Sequence, residues 1–251
     1  MINVVFVSHD EIDEIIRRLY EFEISSNLIK VYILEAKNFE RSVKVTNLHK
    51  FNFSVECFKV KPQPYIELHH AIDLVKLNLT ENILILDADE TMKLSNDALA
   101  EMESAEKLAF KRRNFFGSYE FKGSGLGPKQ DLQIRYLKKL QIKPGIIKVH
   151  QYAYEIDTYK VAKFSEIEHY SYKDWSDVLL RFNRYTTLEM EKYSDKSNVP
   201  HLLYRAIKHF IRRFVFQKGY KDGVYGLAFC LLMACYLPIS ASKYQFNKKL
   251  N

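Results

Sequence analysis

The run Ile83-Leu84-Ile85-Leu86-Asp87-Ala88-Asp89-Glu90-Thr91 is the stretch around which this chain is organised. Four consecutive large apolar residues bounded by polar ones read as a short strand buried on both faces. The strand ends in two carboxylates separated by one residue. In open α/β sheets, ligand chemistry collects just beyond the carboxyl ends of the strands. Two aspartates at such a place can hold a hard divalent cation through oxygen, with coordination positions left for phosphate oxygens. A bare D-x-D is explained at least as well by a strand and a capped turn, with Asp89 as a helix N-cap. The flanking sequence has to decide.

Upstream, Ile2 to Val7 is a β-rich run that stops at Ser8-His9-Asp10-Glu11. Ile12, Ile15, Ile16, Leu19 and Phe22 then recur at helical spacing, with Ser8 or Asp10 as the N-cap. Ile29 to Leu34 reads as a second strand ending at Glu35, and Ser54 to Val60 as a weaker third. Pro62 and Pro64 break the chain before a helix in which Leu68, Ile72, Val75 and Leu79 share a face. Strand, helix, strand, strand, helix, strand is the rhythm of a mostly parallel sheet with right-handed crossovers. Acidic groups fall at three strand ends: Asp10 and Glu11, Glu35, and Asp87 with Asp89. Parallel strands end on one edge, so these acids are expected to line a single crevice, which favours a functional D-x-D.

Downstream the periodicity changes. Lys111-Arg112-Arg113 and Phe115-Phe116-Gly117 form a basic, aromatic segment, and Gly123, Gly125, Gly127 and Pro128 a loop. Arg135 lies in a strand that runs to Leu137. Ile146 to Tyr154 alternates as another strand and carries His150, and Glu166 to Tyr172, with His169, has loop character. From Asp174 the chain turns helical, with Val178, Leu179, Phe182 and Tyr185 on one face. His201 to Lys218 sets Leu203, Ile207, Phe210, Ile211 and Phe214 on a broad apolar side, opposite Arg205, Lys208, Arg212 and Arg213. That basic amphipathic helix fits either a bilayer surface or a protein core with a solvated basic face. Val224 to Ala241 is uncharged and apolar but holds Gly226 and Pro238, at the lower edge of what spans a bilayer. An embedded or core-packed hairpin is expected in preference to a crossing.

At 251 residues the chain suits one large domain, or one domain with a helical appendage. Apolar content of 47% and charged content of 27% are those of an ordinary globular protein. A net charge of +7 favours an anionic partner: a nucleotide, a phospholipid surface or nucleic acid. Cys57, Cys230 and Cys235 form an odd set without metal-ligand spacing, so a reducing compartment is expected. The N-terminal run reads as a strand rather than a signal peptide, and the expected location is the cytoplasm, peripherally at the inner face of the membrane.

An ordered set of segments carries a resemblance. Val7-Ser8-His9-Asp10-Glu11, Leu86-Asp87-Ala88-Asp89-Glu90, Gly117 with Arg135, Val149-His150 and Ile167-Glu168-His169-Tyr170-Ser171-Tyr172 resemble family 2 glycosyltransferases of the GT-A fold. The group that includes bacterial lipopolysaccharide-core transferases is the most similar. Asn183-Arg184-Tyr185, Gly219-Tyr220 and Asp222 to Gly226 resemble its tail. The resemblance implies a GT-A (nucleotide-diphospho-sugar transferase) domain over 1–172 with a mixed, mostly parallel sheet and flanking helices. Its nucleotide-sugar half is 1–91 and its acceptor half 92–172. A C-terminal, membrane-associating helical region follows over 173–251. The implied activity is inverting transfer from a nucleotide-diphosphate sugar donor to a glycan, lipid-linked or protein acceptor.

The resemblance also implies roles. Asp10, Glu11 and Glu35 lie by the nucleotide base and ribose, and Ser8 and Arg135 belong with the donor-binding residues. Asp87 and Asp89 are the D-x-D, with Asp89 the direct ligand of a divalent metal, Mg2+ or Mn2+. His169 completes metal or diphosphate binding. Charge developing on the nucleoside diphosphate needs that metal or fixed positive charge, and a carboxylate should reach the acceptor hydroxyl as general base. Two departures stand out. Glu35 replaces the usual Asp, a reach longer by one methylene. Gln151 follows His150 where the family has Glu, and an amide accepts no proton at neutral pH. Glu155 points to the same strand face but lies about 13 Å further along, and Asp131 precedes Arg135 in the loop. The catalytic position is therefore open among Gln151, Glu155 and Asp131.

Two other readings start from the same residues. Asp87-Ala88-Asp89-Glu90-Thr91 also fits the D-x-D-x-T signature of haloacid-dehalogenase-like phosphatases, with Asp87 as nucleophile and Asp89 as general acid. That family needs a later acidic pair at a strand end and places its nucleophile on the first strand. Gln151 motivates a degenerate transferase that only binds a sugar nucleotide. No nucleic-acid motif is present, and no nucleic-acid partner is expected.

Overall fold

A computed structural model describes residues 1–8, 10–22, 28–60, 74, 77–140, 158–190 and 198–250. The expected helix over 68–79, apart from Leu74 and its end, and the expected strand over 146–154 lie outside the described residues. The chain forms two compact units: Met1–Lys111 with Leu132–His169, and Arg112–Asp131 with Tyr170–Asn251. The division differs from the expected boundary after Tyr172, because the segment Arg112–Asp131 groups with the C-terminal helices.

In the first unit, β1 (Ile2–Ser8), β2 (Ile29–Glu35), β3 (Ser54–Lys59) and β4 (Glu81–Asp87) pair in parallel. Beyond β4 the sheet continues through β8 (Leu132–Lys139), which runs antiparallel to it. The full order is β3-β2-β1-β4-β8-β6-β10-β5, where β5 is Glu90–Met92, β6 Lys107–Phe116 and β10 Ile167–Tyr172. A short β7 (Tyr119–Glu120) and β9 (Lys160–Val161) both pair with β6. Register sets Ser8 opposite Glu35 and Val7 opposite Asp87, so the acidic strand ends share one edge.

The inner parallel strands β1, β2 and β4 are mostly apolar because both of their faces are covered, whereas β3 alternates and is half-exposed. Val4, Phe6, Val31, Ile33, Leu84 and Leu86 turn to one core, which Ile12, Ile15, Ile16 and Leu19 of α1 (Ile12–Leu19) complete. Val5, Leu34 and Ile83 turn to the other, with Leu74, Ile134 and Leu137.

Several elements differ from the sequence reading. Helix α2 (Phe39–Leu48) lacks an apolar stripe because the residues it buries are Ser42 and Thr46, while Leu48 is exposed. Helix α3 (Asn96–Ser104) is capped by Ser95, whose side chain accepts from the Ala98 N–H at 3.2 Å. Asp89 caps no helix; Ala88 and Asp89 form a tight turn between β4 and β5. The stretch with loop character is strand β10, held by antiparallel pairing of Ile167 to Met92 and His169 to Glu90.

In the second unit, α4 (Trp175–Glu189) starts at Asp174, which accepts from the Asp177 N–H. It buries Val178, Phe182 and Thr186; Leu179 and Tyr185, expected on that face, are exposed. Helix α5 (Val199–Ile211) runs into a π-helical turn over Arg212–Phe216, a 3-10 turn over Gly219–Asp222, and α6 (Gly223–Leu250). The buried Asp222 carboxylate organises this unit. It accepts from the N–H groups of Lys122 (2.6 Å) and Gly123 (3.0 Å), the Ser124 hydroxyl (3.0 Å) and the Tyr119 hydroxyl (3.2 Å). The glycine loop thereby folds onto the turn before α6, so closely that a Cβ on Gly123 would lie 2.3 Å from the Lys218 carbonyl oxygen. At Gly226 it would meet the Gly219 carbonyl at 2.0 Å.

Leu84 sits at the centre of the sheet, fully buried. Leu84→Ala is expected to destabilise the fold by about 2–5 kcal/mol through lost burial and the cavity left behind, measured as a shift of the urea unfolding midpoint at constant slope.

Candidate active site

The D-x-D turn is held by a guanidinium. Arg135, on β8 beside β4, donates through Nη2 to Asp87 Oδ2 at 2.5 Å and to Glu90 Oε1 at 2.6 Å. Glu90 Oε2 accepts from the Asp87 N–H at 3.1 Å, closing the turn from below. Glu90 is fully buried, and a buried carboxylate persists as an anion only when a charge-assisted partner compensates its lost hydration. Two of the three acids in Asp87-Ala88-Asp89-Glu90 are thus tied to Arg135.

Asp89 faces elsewhere. Its Oδ1 lies 3.5 Å from His169 Nε2 on β10, with both side chains partly open to solvent. The pairing of His169 with Glu90 puts the imidazole next to the turn. Two ligands of one small cation, each bonded at ~2.1 Å and at right angles, stand roughly 3 Å apart, so this spacing suits adjacent positions on one ion. Among the described residues no group of three metal-donor side chains is assembled. Asp89 and His169 fit a cation that takes its other ligands from phosphate oxygens and water, the usual arrangement for Mg2+ with phosphates. Asp87, expected as a further metal ligand, has Oδ2 committed to Arg135.

At the neighbouring strand ends, Glu35 does not reach outward. Its Oε1 accepts from the N–H groups of Asp10 (3.1 Å), Lys37 (2.9 Å) and Asn38 (3.3 Å), and its Oε2 from the Ser8 (2.6 Å) and Ser42 (3.0 Å) hydroxyls. Burial pushes its pKa up, but the hydrogen bonds from Ser8, Lys37, Ser42 and Asn38 outweigh burial and hold it below the ordinary carboxylate value. Ser8 Oγ also accepts from the Glu11 N–H at 3.1 Å. Asp10 adopts φ 91°, a conformation rare for a residue with a Cβ, and its exposed carboxylate lies 3.4 Å from Arg41 Nη1. Arg41 also pairs with Asp13. Ser8, Glu35 and the Asp10–Glu11 turn are therefore one hydrogen-bonded assembly at the sheet edge.

The base candidates divide differently. Gln151 and Glu155, with His150, lie outside the described residues. Asp131 belongs to the second unit, where Oδ2 accepts from Arg112 Nε at 2.8 Å and Asn114 Nδ2 at 2.8 Å. It is buried, and taking up a proton would break its ion pair with Arg112. Sequence reasoning quoted Glu90 without a role and missed Arg41. The signal for Glu90 was a third acid directly after the D-x-D; nothing local marks Arg135, among the arginines downstream, as its partner.

No family model matches the sequence, and no curated protein matches it. Among solved structures, the chain is similar to the mannosyltransferase PcManGT from Pyrobaculum calidifontis in complex with GDP-Man and Mn2+. The TM-score is 0.51 at 10% identity, over 98% of this chain and 87% of that one. It is also similar to S. aureus TarS 1–349, with TM-score 0.49 and 11% identity over 98% of this chain and 92% of that one. It spans 46% of a longer TarS structure and 36% of TarS 1–349 in complex with UDP-GlcNAc. The architecture is the GT-A fold, mixed α/β, with four parallel strands, flanking helices and a C-terminal helical region. The phosphatase alternative finds no support: among the described residues three strands precede the one that Asp87 ends, and its carboxylate is paired with Arg135.

Two outcomes follow. Arg135→Met removes the charge-assisted donor to the buried Glu90 and is expected to cost about 3–5 kcal/mol of stability in urea unfolding. For Glu35, the lowered folded-state pKa means stability present above its unfolded value and lost as pH falls through the folded value. The unfolding midpoint should fall as pH is lowered below about 4.5, and Glu35→Gln should flatten that dependence while lowering the midpoint at neutral pH.

Proposed function

We propose that this chain is an inverting, metal-dependent glycosyltransferase. It moves a sugar from a nucleotide-diphosphate donor to a glycan, lipid-linked or protein acceptor, as a cytoplasmic enzyme with free thiols at Cys57, Cys230 and Cys235. One observation carries the reading: Asp89, in the turn that ends a parallel strand of a GT-A sheet, has His169 of β10 beside it. The likeness to a mannosyltransferase solved with GDP-Man and Mn2+ supports it.

In this reading Asp89 and His169 hold a divalent metal, Mg2+ or Mn2+. When bound, the ion supplies electrophilic stabilisation of the diphosphate leaving group. Arg135 keeps Asp87 oriented and lends fixed positive charge beneath the turn. Glu35 shapes the Ser8–Glu11 turn through its five accepted hydrogen bonds, which leaves Asp10 and Glu11 as the acidic groups nearest the nucleotide. Single in-line displacement gives inversion at the anomeric carbon, with proton removal from the acceptor falling to a carboxylate. The ion pair of Asp131 with Arg112 disfavours Asp131 for that task and favours Glu155.

The test is release of nucleoside diphosphate from UDP- and GDP-sugars with Mg2+ or Mn2+. Asp89→Ala should lower turnover by at least about a hundredfold, and a chelator should abolish it. Full activity in Asp89→Ala would remove the metal assignment. Donor binding in calorimetry without turnover across acceptors would favour the degenerate reading that Gln151 and the paired Asp131 motivate.

A further inference from the structure

Helix α5 buries none of its residues. Its inner face, Leu202, Ala206, His209 and Phe210, is half-covered and packs against α6. The face turned to solvent divides in two along its length. Val199, Leu203, Ile207 and Ile211 recur every fourth residue, all exposed, with Leu203 at 59% and Ile207 at 51%. Beside that stripe run Arg205, Lys208 and Arg212, also exposed. Arg213, which the sequence alone groups with them, turns inward instead. Its Nη1 donates to the Ser124 carbonyl at 2.7 Å, and its guanidinium lies over the Phe229 ring. On α6, Val224, Leu227 and Leu231 are exposed as well.

Charge decides what covers this surface. From Lys196 to Asn251 the sequence contains ten lysines and arginines and one acid, Asp222. That acid is buried against its four donors. A second copy of the chain would bring the exposed Arg205, Lys208 and Arg212 against the same row on itself, which opposes an isologous contact. An anionic lipid surface offers both complements at once, headgroup charge for the basic row and acyl chain for the apolar stripe.

The end of α6 argues against a crossing, although the helix is long and apolar enough by composition alone. Lys243 Nζ donates to the Asn183 carbonyl (2.8 Å), Asn183 Oδ1 (2.7 Å), Thr186 Oγ1 (2.8 Å) and Thr187 Oγ1 (2.8 Å). Ser240 and Ala241 are buried. A spanning α6 would give up that seat on α4 and carry the Lys243 charge towards hydrocarbon.

We propose that the α5 stripe, with the first turns of α6, is a monotopic docking surface for an anionic bilayer, lying in the interface rather than crossing it. The proposal gives the transferase reading a membrane-side location. Its test reads binding alone, so it succeeds or fails separately from sugar transfer. The experiment is flotation of the full chain with vesicles of phosphatidylcholine, and with vesicles of equal parts phosphatidylcholine and phosphatidylglycerol. Binding is expected to the anionic vesicles only and to weaken in about 0.5 M salt, where the Debye length shortens to a few ångströms. Two double variants, Leu203→Asp with Ile207→Asp and Lys208→Glu with Arg212→Glu, should each lower binding at least about tenfold. Both alter exposed positions, so circular dichroism and thermal unfolding should match the parent chain. Absence of flotation overturns the proposal, as does flotation that neither variant changes. A concentration-dependent dimer that Leu203→Asp with Ile207→Asp dissolves, without vesicle binding, assigns the face to a second copy instead.

Discussion

Arg135 spends one guanidinium nitrogen on two carboxylates, and the shape of the candidate site follows from that choice. Glu90 is buried and Asp87 nearly so; without a cation between them their mutual repulsion and lost hydration would drive the turn apart. With the cation in place, β4 is fastened to its antiparallel neighbour β8, and the chain reverses through Ala88 and Asp89 into β5. The two aspartates of one short motif thereby acquire different work. Asp87 becomes part of the frame, and Asp89 is left at the tip of the turn, where β10 brings His169 beside it.

The same device recurs elsewhere, each time to order a loop that has few apolar contacts of its own. Glu35 gathers five donors from two strand-end loops and α2 in the first unit. Asp222 gathers four in the second, from Tyr119 of β7 and from Lys122 to Ser124 at the start of the glycine loop. Buried anions satisfied by backbone N–H groups specify loop geometry more sharply than apolar packing does, because each donor has a direction and the cost of losing one is high. Acids at strand ends are commonly taken as ligand contacts. Glu35 shows one that acts as scaffold, while its neighbours Asp10 and Glu11 hold the outward positions.

Much of the first half was legible in the sequence. Strands β1, β2 and β4 and helix α1 have burial patterns that follow directly from apolar runs or from apolar residues at helical spacing. Three kinds of element were not. Helix α2 hides its buried face behind Ser42 and Thr46, which carry no hydrophobic period. Strand β6 is basic and aromatic, and strand β10 is polar; both are strands because of the partners they pair with. The amphipathic reading of the segment from His201 to Lys218 was legible as a pattern. Its packing was not, since Phe210 and Arg213 turn inward while Leu203 and Ile207 stay exposed.

Sequence alone determined which residue types stood at the carboxyl ends of the strands, since parallel pairing of short apolar runs brings those ends to one edge whatever the loops do. It also determined the basic character of the stretch from Lys196 to Asn251, where ten lysines and arginines stand against one acid, Asp222, a matter of composition. Only the tertiary structure decided which of the acids face outward. That depended on where Arg135, Ser42 and the Asp10–Asn38 amides fell in space, because a carboxylate is claimed by its nearest strong donors and no local pattern records donors that arrive from distant strands.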